Sequence, residues 1–129
     1  MSEICALRNF LSDYATVDQY GSGCELSSPN RGRDTACAQQ GYQKARAALC
    51  SGRYDLVVLD EILVAVYLKL LSEEDILRLI DEKPGHTELV LTGRYASKVI
   101  LERADLVTEM GEIRHYFHDG LAARTGIEY

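Results

Sequence analysis

The 129-residue chain, 47% apolar and 26% charged, has the size and balance of a single globular domain over residues 1–129, and these values exclude whole-chain disorder. A net charge of -6 argues against a dedicated nucleic-acid binder, whose phosphate-contacting surface would be basic. The start, Met-Ser-Glu-Ile-Cys, lacks a basic and then apolar leader, and the longest apolar stretch, residues 62–71, is interrupted by Lys69 and too short to span a bilayer, so the expectation is a cytoplasmic protein without a membrane partner.

Apolar residues Ile4, Leu7, Phe10 and Leu11 are spaced for one helical face, predicting a helix over 3–11. Residues 15–20 are expected as a short strand, and the Gly/Ser/Pro/Asn-rich 21–33 as a loop. A helix beginning at Asp34 carries an inner stripe of Ala38, Gly41, Tyr42, Ala45, Ala48 and Leu49, and Ser51-Gly52 ends it. The run YDLVVLD, residues 54–60, is the clearest strand. Its consecutive apolar residues predict burial on both faces, as in a parallel sheet covered by helices.

Residues 62–71 are predicted to continue as a helix. Ile62, Leu63, Val64, Val66, Leu68, Leu70 and Leu71 exceed what one helical face needs. Two readings stand, burial inside the domain or a subunit interface, and the small number of elements favours the interface. Ser72 to Asp75 form a capping box for a helix over 73–82, which Pro84-Gly85 stops. Further strands are expected at 88–92, 105–109 and 113–117, with a short helix at 97–104 and an irregular tail from 121. Strands alternating with helices imply an α/β domain with a mainly parallel sheet.

The strand LVVLDE places Asp60 and Glu61 at its C-terminal end, where ligands gather in open α/β sheets. An apolar strand ending in an acid is how nucleotide-hydrolysing enzymes present a carboxylate to Mg²⁺; it is also how many buried strands simply emerge into water. A phosphate-cradling loop of the form G-x-x-x-x-G-K-[ST] does not occur in the 129 residues, and Gly21-Ser22-Gly23 reads as a turn. The cysteines Cys5, Cys24, Cys37 and Cys50 have no C-x-x-C spacing, so reduced thiols are expected. His115, His118 and Asp119 raise a metal hypothesis, although two histidines three apart in a strand point to opposite faces.

Taken together, YDLVVLDEI, KPGH at 83–86, LVLTGR at 89–94, ADLVTEM at 104–110 and the ending GIEY resemble, in order and spacing, the ATP:corrinoid adenosyltransferases. The resemblance runs from about Asp34 to Tyr129, more faintly back to Glu3, and corresponds to the C-terminal two-thirds of such an enzyme. It implies a RecA-like, P-loop-derived three-layer fold, commonly a homodimer. It also implies transfer of a 5′-deoxyadenosyl group from ATP to the cobalt of a reduced corrinoid, with Mg²⁺ or Mn²⁺. On that resemblance Asp60 and Glu61 lie near the metal and phosphates. Thr92 and Arg94 line the same strand edge, although a surface salt bridge is an equal reading for Arg94.

Three departures follow. The family's opening strand, P-loop and following helix have no counterpart here. That predicts an unpaired strand edge, met by a rearranged sheet or by a partner chain. Cys24 and Leu26 stand where the family carries a phenylalanine and a tryptophan that shield the corrinoid cobalt, which makes them the corrinoid-side candidates. The tail reads Arg114-His115-Tyr116-Phe117-His118-Asp119-Gly120, where the family has K-H-x-F-D-A-G. The expected function is therefore that of an adenosyltransferase-family protein with little or no catalysis alone, active only if another chain supplies the ATP loop; the expected partner is a second copy in a dimer or a complementary P-loop chain. The alternative is a non-catalytic homologue that binds a corrinoid, a nucleotide or a protein.

Overall fold

The structure is a computed structural model, and it describes residues 2–21 and 31–127. It divides into two compact units, Tyr20–Val107 and the paired termini Met1–Gln19 with Thr108–Tyr129.

In the larger unit the elements are α2 (Arg31–Cys50), β1 (Leu56–Leu59), α3 (Ile62–Tyr67), α4 (Glu73–Glu82), β2 (Glu88–Leu91) and α5 (Lys98–Arg103), α1 (Ser2–Phe10) belonging to the other unit. The strands pair in parallel, Leu56 with Glu88 through Leu59 with Leu91, and α3 and α4 form the connection between them. A parallel pair requires such a crossover, so the α/β class expected from the alternation holds.

Each helix has a local reason. Gly52 closes α2 with a left-handed φ of 67°, a conformation that costs glycine nothing. The α4 capping box forms in both directions: the Asp75 N–H donates to Ser72 Oγ at 3.1 Å and the Ser72 N–H to Asp75 Oδ2 at 3.0 Å. Ser97 caps α5 by accepting from the Ile100 N–H. An ion pair between Arg103 and Asp81 ties α5 to α4, and Arg46 donates two hydrogen bonds to the Glu82 carboxylate, tying α2 to α4.

The core comprises two clusters, one of Tyr42, Leu49, Leu71 and Leu79 and one of Leu63, Ile76 and Ile100. Val57, Leu59 and Leu89 pack on the first and Leu91 on the second, so the helices cover the sheet face these four residues share. The opposite face is bare: Leu56 is 53% exposed, Val58 51% and Val90 41%. This corrects the expectation of strands buried on both faces. Burial needs two covering layers, and among the described residues there is one.

The long apolar run at 62–71 is likewise resolved. Leu63 and Leu71 are buried, and Ile62, Val64, Val66, Leu68 and Leu70 are half-buried. The run is used largely inside the chain, with Tyr67 its exposed apolar residue. Only two of the expected strands form. Residues 105–109 are irregular, with Leu106 and Val107 exposed, and 15–20 form no ladder; neither segment pairs with the β1–β2 sheet.

In the smaller unit α1 spans Ser2–Phe10 as expected, and the strand predicted at 113–117 gives way to a 3₁₀ turn at Tyr116–Asp119. His115 nucleates that turn by accepting the Phe117 N–H at its Nδ1, 3.0 Å away. None of the described helices is long and apolar enough to cross a membrane.

Candidate functional site at the strand C-termini

The C-terminal ends of β1 and β2 are joined by Thr92. Its hydroxyl donates to Asp60 Oδ1 at 2.7 Å and accepts the Glu61 N–H at 2.9 Å. Its own N–H donates to the Leu59 carbonyl at 3.1 Å, and its carbonyl accepts the Leu63 N–H at 3.2 Å. All four groups lie where β1 turns into α3, so one residue fixes the direction in which the acidic pair leaves the sheet.

The turn itself is strained. Glu61 occupies the left-handed region, with φ 56° and ψ 20°, immediately before the first turn of α3. A non-glycine residue there is uncommon and persists where the surroundings determine it. Gly93 completes the corner with φ 132°, and a Cβ on it would stand 3.0 Å from the Leu63 side chain and 3.2 Å from the backbone nitrogens of Leu63 and Val64. Only glycine satisfies both the dihedral and the space.

Asp60 and Glu61 are both exposed at this corner. Asp60 uses one carboxylate oxygen on Thr92, which leaves the other for a further partner. Arg94 is exposed two residues beyond Thr92 and makes no ion pair with another described residue, so the salt-bridge reading finds no support among them. The structure thus brings Asp60, Glu61 and Thr92 together through hydrogen bonds and leaves Arg94 next to them in sequence. Cys24 and Leu26 lie outside the described residues.

Hard oxygen donors at a strand end suit Mg²⁺ or Mn²⁺, which take one or two protein carboxylates and complete their shell with water and phosphate. Among the described residues no group of three His, Cys, Asp or Glu converges in a way that would hold a metal through protein alone. The His115/His118/Asp119 group fits this picture as a structural turn. His118 Nε2 pairs with Glu112 Oε1 at 2.8 Å, and His115 Nδ1 is occupied by the backbone. Cys5, Cys37 and Cys50 are free thiols.

An open pocket of about 250 Å³, lined by Gln43, Arg46, Ala47 and Cys50, lies on α2 and involves none of the strand-end residues. Beside it the Glu82 carboxylate is held below the usual range, chiefly by the hydrogen bond from Arg46.

Two contributors escaped the sequence reading. Gly93 looked like a turn residue, and nothing in LVLTGR reveals that the start of α3 stands within 3.2 Å of its Cβ position. Tyr67 and Tyr95, 28 residues apart in the sequence, stack with ring centroids 4.1 Å apart.

The chain is an α/β protein whose acidic, hydrogen-bonded corner lies at the C-terminal end of parallel strands, the edge at which open α/β sheets bind ligands. Comparison then narrows the class. The family described as ATP:corrinoid adenosyltransferase BtuR/CobO/CobP matches residues 1–129. A corrinoid adenosyltransferase of a Sinorhizobium species is 38% identical over 110 residues, 84% of this chain and 51% of the relative. The corrinoid adenosyltransferase of Escherichia coli K12 is 32% identical over 123 residues, 95% of this chain and 63% of the relative. Corrinoid adenosyltransferase CobA of Salmonella typhimurium matches to the same extent, 32% over 123 residues, again 95% of this chain and 63% of the relative. The chain belongs to the corrinoid adenosyltransferase family. It spans between 51% and 63% of the length of these relatives.

Proposed function

We propose that these residues supply the acidic strand-end half of a corrinoid adenosyltransferase acting on ATP and a reduced corrinoid, and that by themselves they catalyse little or nothing. The observation that carries this reading is the Thr92 knot, which holds Asp60 and Glu61 at the C-terminal edge of a parallel sheet. There Asp60 Oδ2 and the Glu61 carboxylate would take Mg²⁺ or Mn²⁺. A bound divalent ion supplies positive charge that bridges and neutralises phosphate oxygens. The chain's own part is positional: Thr92 orients Asp60, the left-handed Glu61 turns its carboxylate out of the sheet, and Gly93 lets α3 start close to β2.

The phosphate-cradling loop must come from elsewhere, because no G-x-x-x-x-G-K-[ST] occurs in the 129 residues. The open sheet favours the same view. Among the described residues, two strands with unpaired outer edges and a bare face of Leu56, Val58 and Val90 leave room for further strands and a third, RecA-like layer. In this reading the missing layer is a P-loop-bearing segment or partner, or a second copy in a dimer.

The test is to incubate the 129-residue protein with chemically reduced cobalamin, ATP and Mg²⁺, with and without the P-loop portion of a relative. Adenosylcobalamin is expected only in the mixture. Formation at ordinary enzyme rates by the 129 residues alone overturns the proposal. In the complemented preparation Asp60→Asn and Glu61→Gln should raise the Mg²⁺ requirement, and unchanged Mg²⁺ dependence removes the metal role. Binding of cob(II)alamin without turnover in either preparation would point to the non-catalytic alternative.

A further inference from the structure

Tyr67 ends α3 and Tyr95 follows the corner formed by Thr92 and Gly93. Their rings stack, with centroids 4.1 Å apart and planes inclined by 28°. Both remain largely in water, Tyr67 58% exposed and Tyr95 64%. A stack that buries so little does not repay its cost in ordinary packing. Tyr95 sits at φ 65°, in the left-handed region, where a bulky aromatic is a genuine outlier and glycine or asparagine is far easier.

The other two non-glycine residues with positive φ among those described, Glu61 and Lys69, flank α3 on either side. Backbone strain is therefore concentrated around one short helix and the loop against it, at the end of the sheet that carries the acids. Strain of this kind gathers at ligand clamps. From the acidic end of α3 to Tyr67 is roughly 8 Å along the helix axis, at 1.5 Å per residue. A ribose and its phosphates span such a distance.

We propose that Tyr95, braced from behind by Tyr67, is a stacking platform for the flat face of a purine base, the base of the nucleotide whose phosphates meet Asp60 and Glu61. The proposal rests on the nucleotide reading of the acidic corner and adds the residues that hold the base. Aromatic faces receive bases through offset stacking, and the exposed outer face of Tyr95 is the free half of such a sandwich. Tyr67 acts through Tyr95 as a positioning residue, fixing the ring plane that the strained backbone presents.

The experiment uses adenosine, which has no phosphate, so that its binding is independent of the acidic corner. Saturation-transfer NMR with the 129-residue chain should show transfer to adenine H2 and H8 above that to the ribose protons. Tyr95→Gly relieves the left-handed strain, so its thermal midpoint should be equal or higher while adenosine affinity falls on the order of tenfold. Tyr95→Asn, which also tolerates this backbone, should behave the same way. Tyr67→Phe keeps the brace and should retain binding. Unchanged adenosine affinity in both Tyr95 variants overturns the platform, and so does transfer to hydroxocobalamin without transfer to adenosine. Loss of Mg²⁺-dependent ATP binding in Asp60→Asn with adenosine binding intact supports platform and corner alike. Intact adenosine binding with no effect of Asp60→Asn on ATP upholds the platform and sinks the corner alone.

Discussion

The two ends of the sheet are each tied across the strands by a threonine, and the ties serve opposite purposes. At the N-terminal end Thr87 is fully buried; its hydroxyl donates to the Tyr54 carbonyl at 2.9 Å, and its carbonyl accepts from Lys83 Nζ at 2.9 Å. At the C-terminal end Thr92 is half-buried, and its hydroxyl spans an exposed carboxylate and a strained N–H. The first seals the sheet, and the second leaves it open and charged. The difference is one of solvent: a buried hydroxyl left without its partner is costly, whereas one at the rim can be replaced by water.

The largest effect that would break the comparison is expected at the open end. Gly93→Ala should destabilise by about 2–4 kcal/mol, combining a forbidden dihedral with a contact that α3 cannot give up. Urea unfolding followed by far-ultraviolet circular dichroism measures it; a loss under 1 kcal/mol (about the size of a single ordinary hydrogen bond) would show that the corner yields. Next comes Thr87→Val, expected to cost about 1–3 kcal/mol in the same assay by leaving the Tyr54 carbonyl unsatisfied, with no change in ligand binding.

Thr92→Val sharpens the contrast. Its stability cost should be about 1 kcal/mol or less, but the Asp60 carboxylate loses its orientation, so Mg²⁺-dependent nucleotide binding in a complemented preparation should weaken. If Thr92→Val costs more stability than Thr87→Val, the two ends are not divided as described. The smallest effect is the pH response of the Arg46–Glu82 tie, remote from both ends. The Glu82 pKa is lowered in the folded state, so its contribution is present above the unfolded value and lost as pH falls through the folded one. Stability should therefore decline on acidification below the ordinary glutamate range, and Glu82→Gln should flatten that slope in acid titrations of the unfolding midpoint.

Much of the helical layer was legible in the chain. Ser72 and Asp75 announced α4 because a capping box is a local chemical pattern, and the Ala38-to-Leu49 stripe described the face of α2 that holds Tyr42 and Leu49 in the core. The acids were legible too, since a carboxylate after an apolar strand has few places to go but the sheet edge. Strands were less so. The residues of ADLVTEM and those at 113–117 have strand-like composition, but a strand exists only if another edge receives it, and that is a property of the whole sheet. The apolar run at 62–71 left two readings open for the same reason: its count of leucines and valines reports the amount of burial needed, not the neighbour that provides it.

The sequence by itself determined the alternation of helix and strand, the position of Asp60 and Glu61 at a strand end, and kinship with the corrinoid adenosyltransferases, because these depend on local spacing and short motifs. Tertiary structure alone decided that Thr92 is the knot, that Gly93 has no room for a side chain, and that Tyr95 meets Tyr67. Those three facts follow from atoms distant in the chain coming into contact, which periodicity does not encode. The bare face of Leu56, Val58 and Val90 is of the same kind, since exposure depends on what the rest of the fold places over a strand.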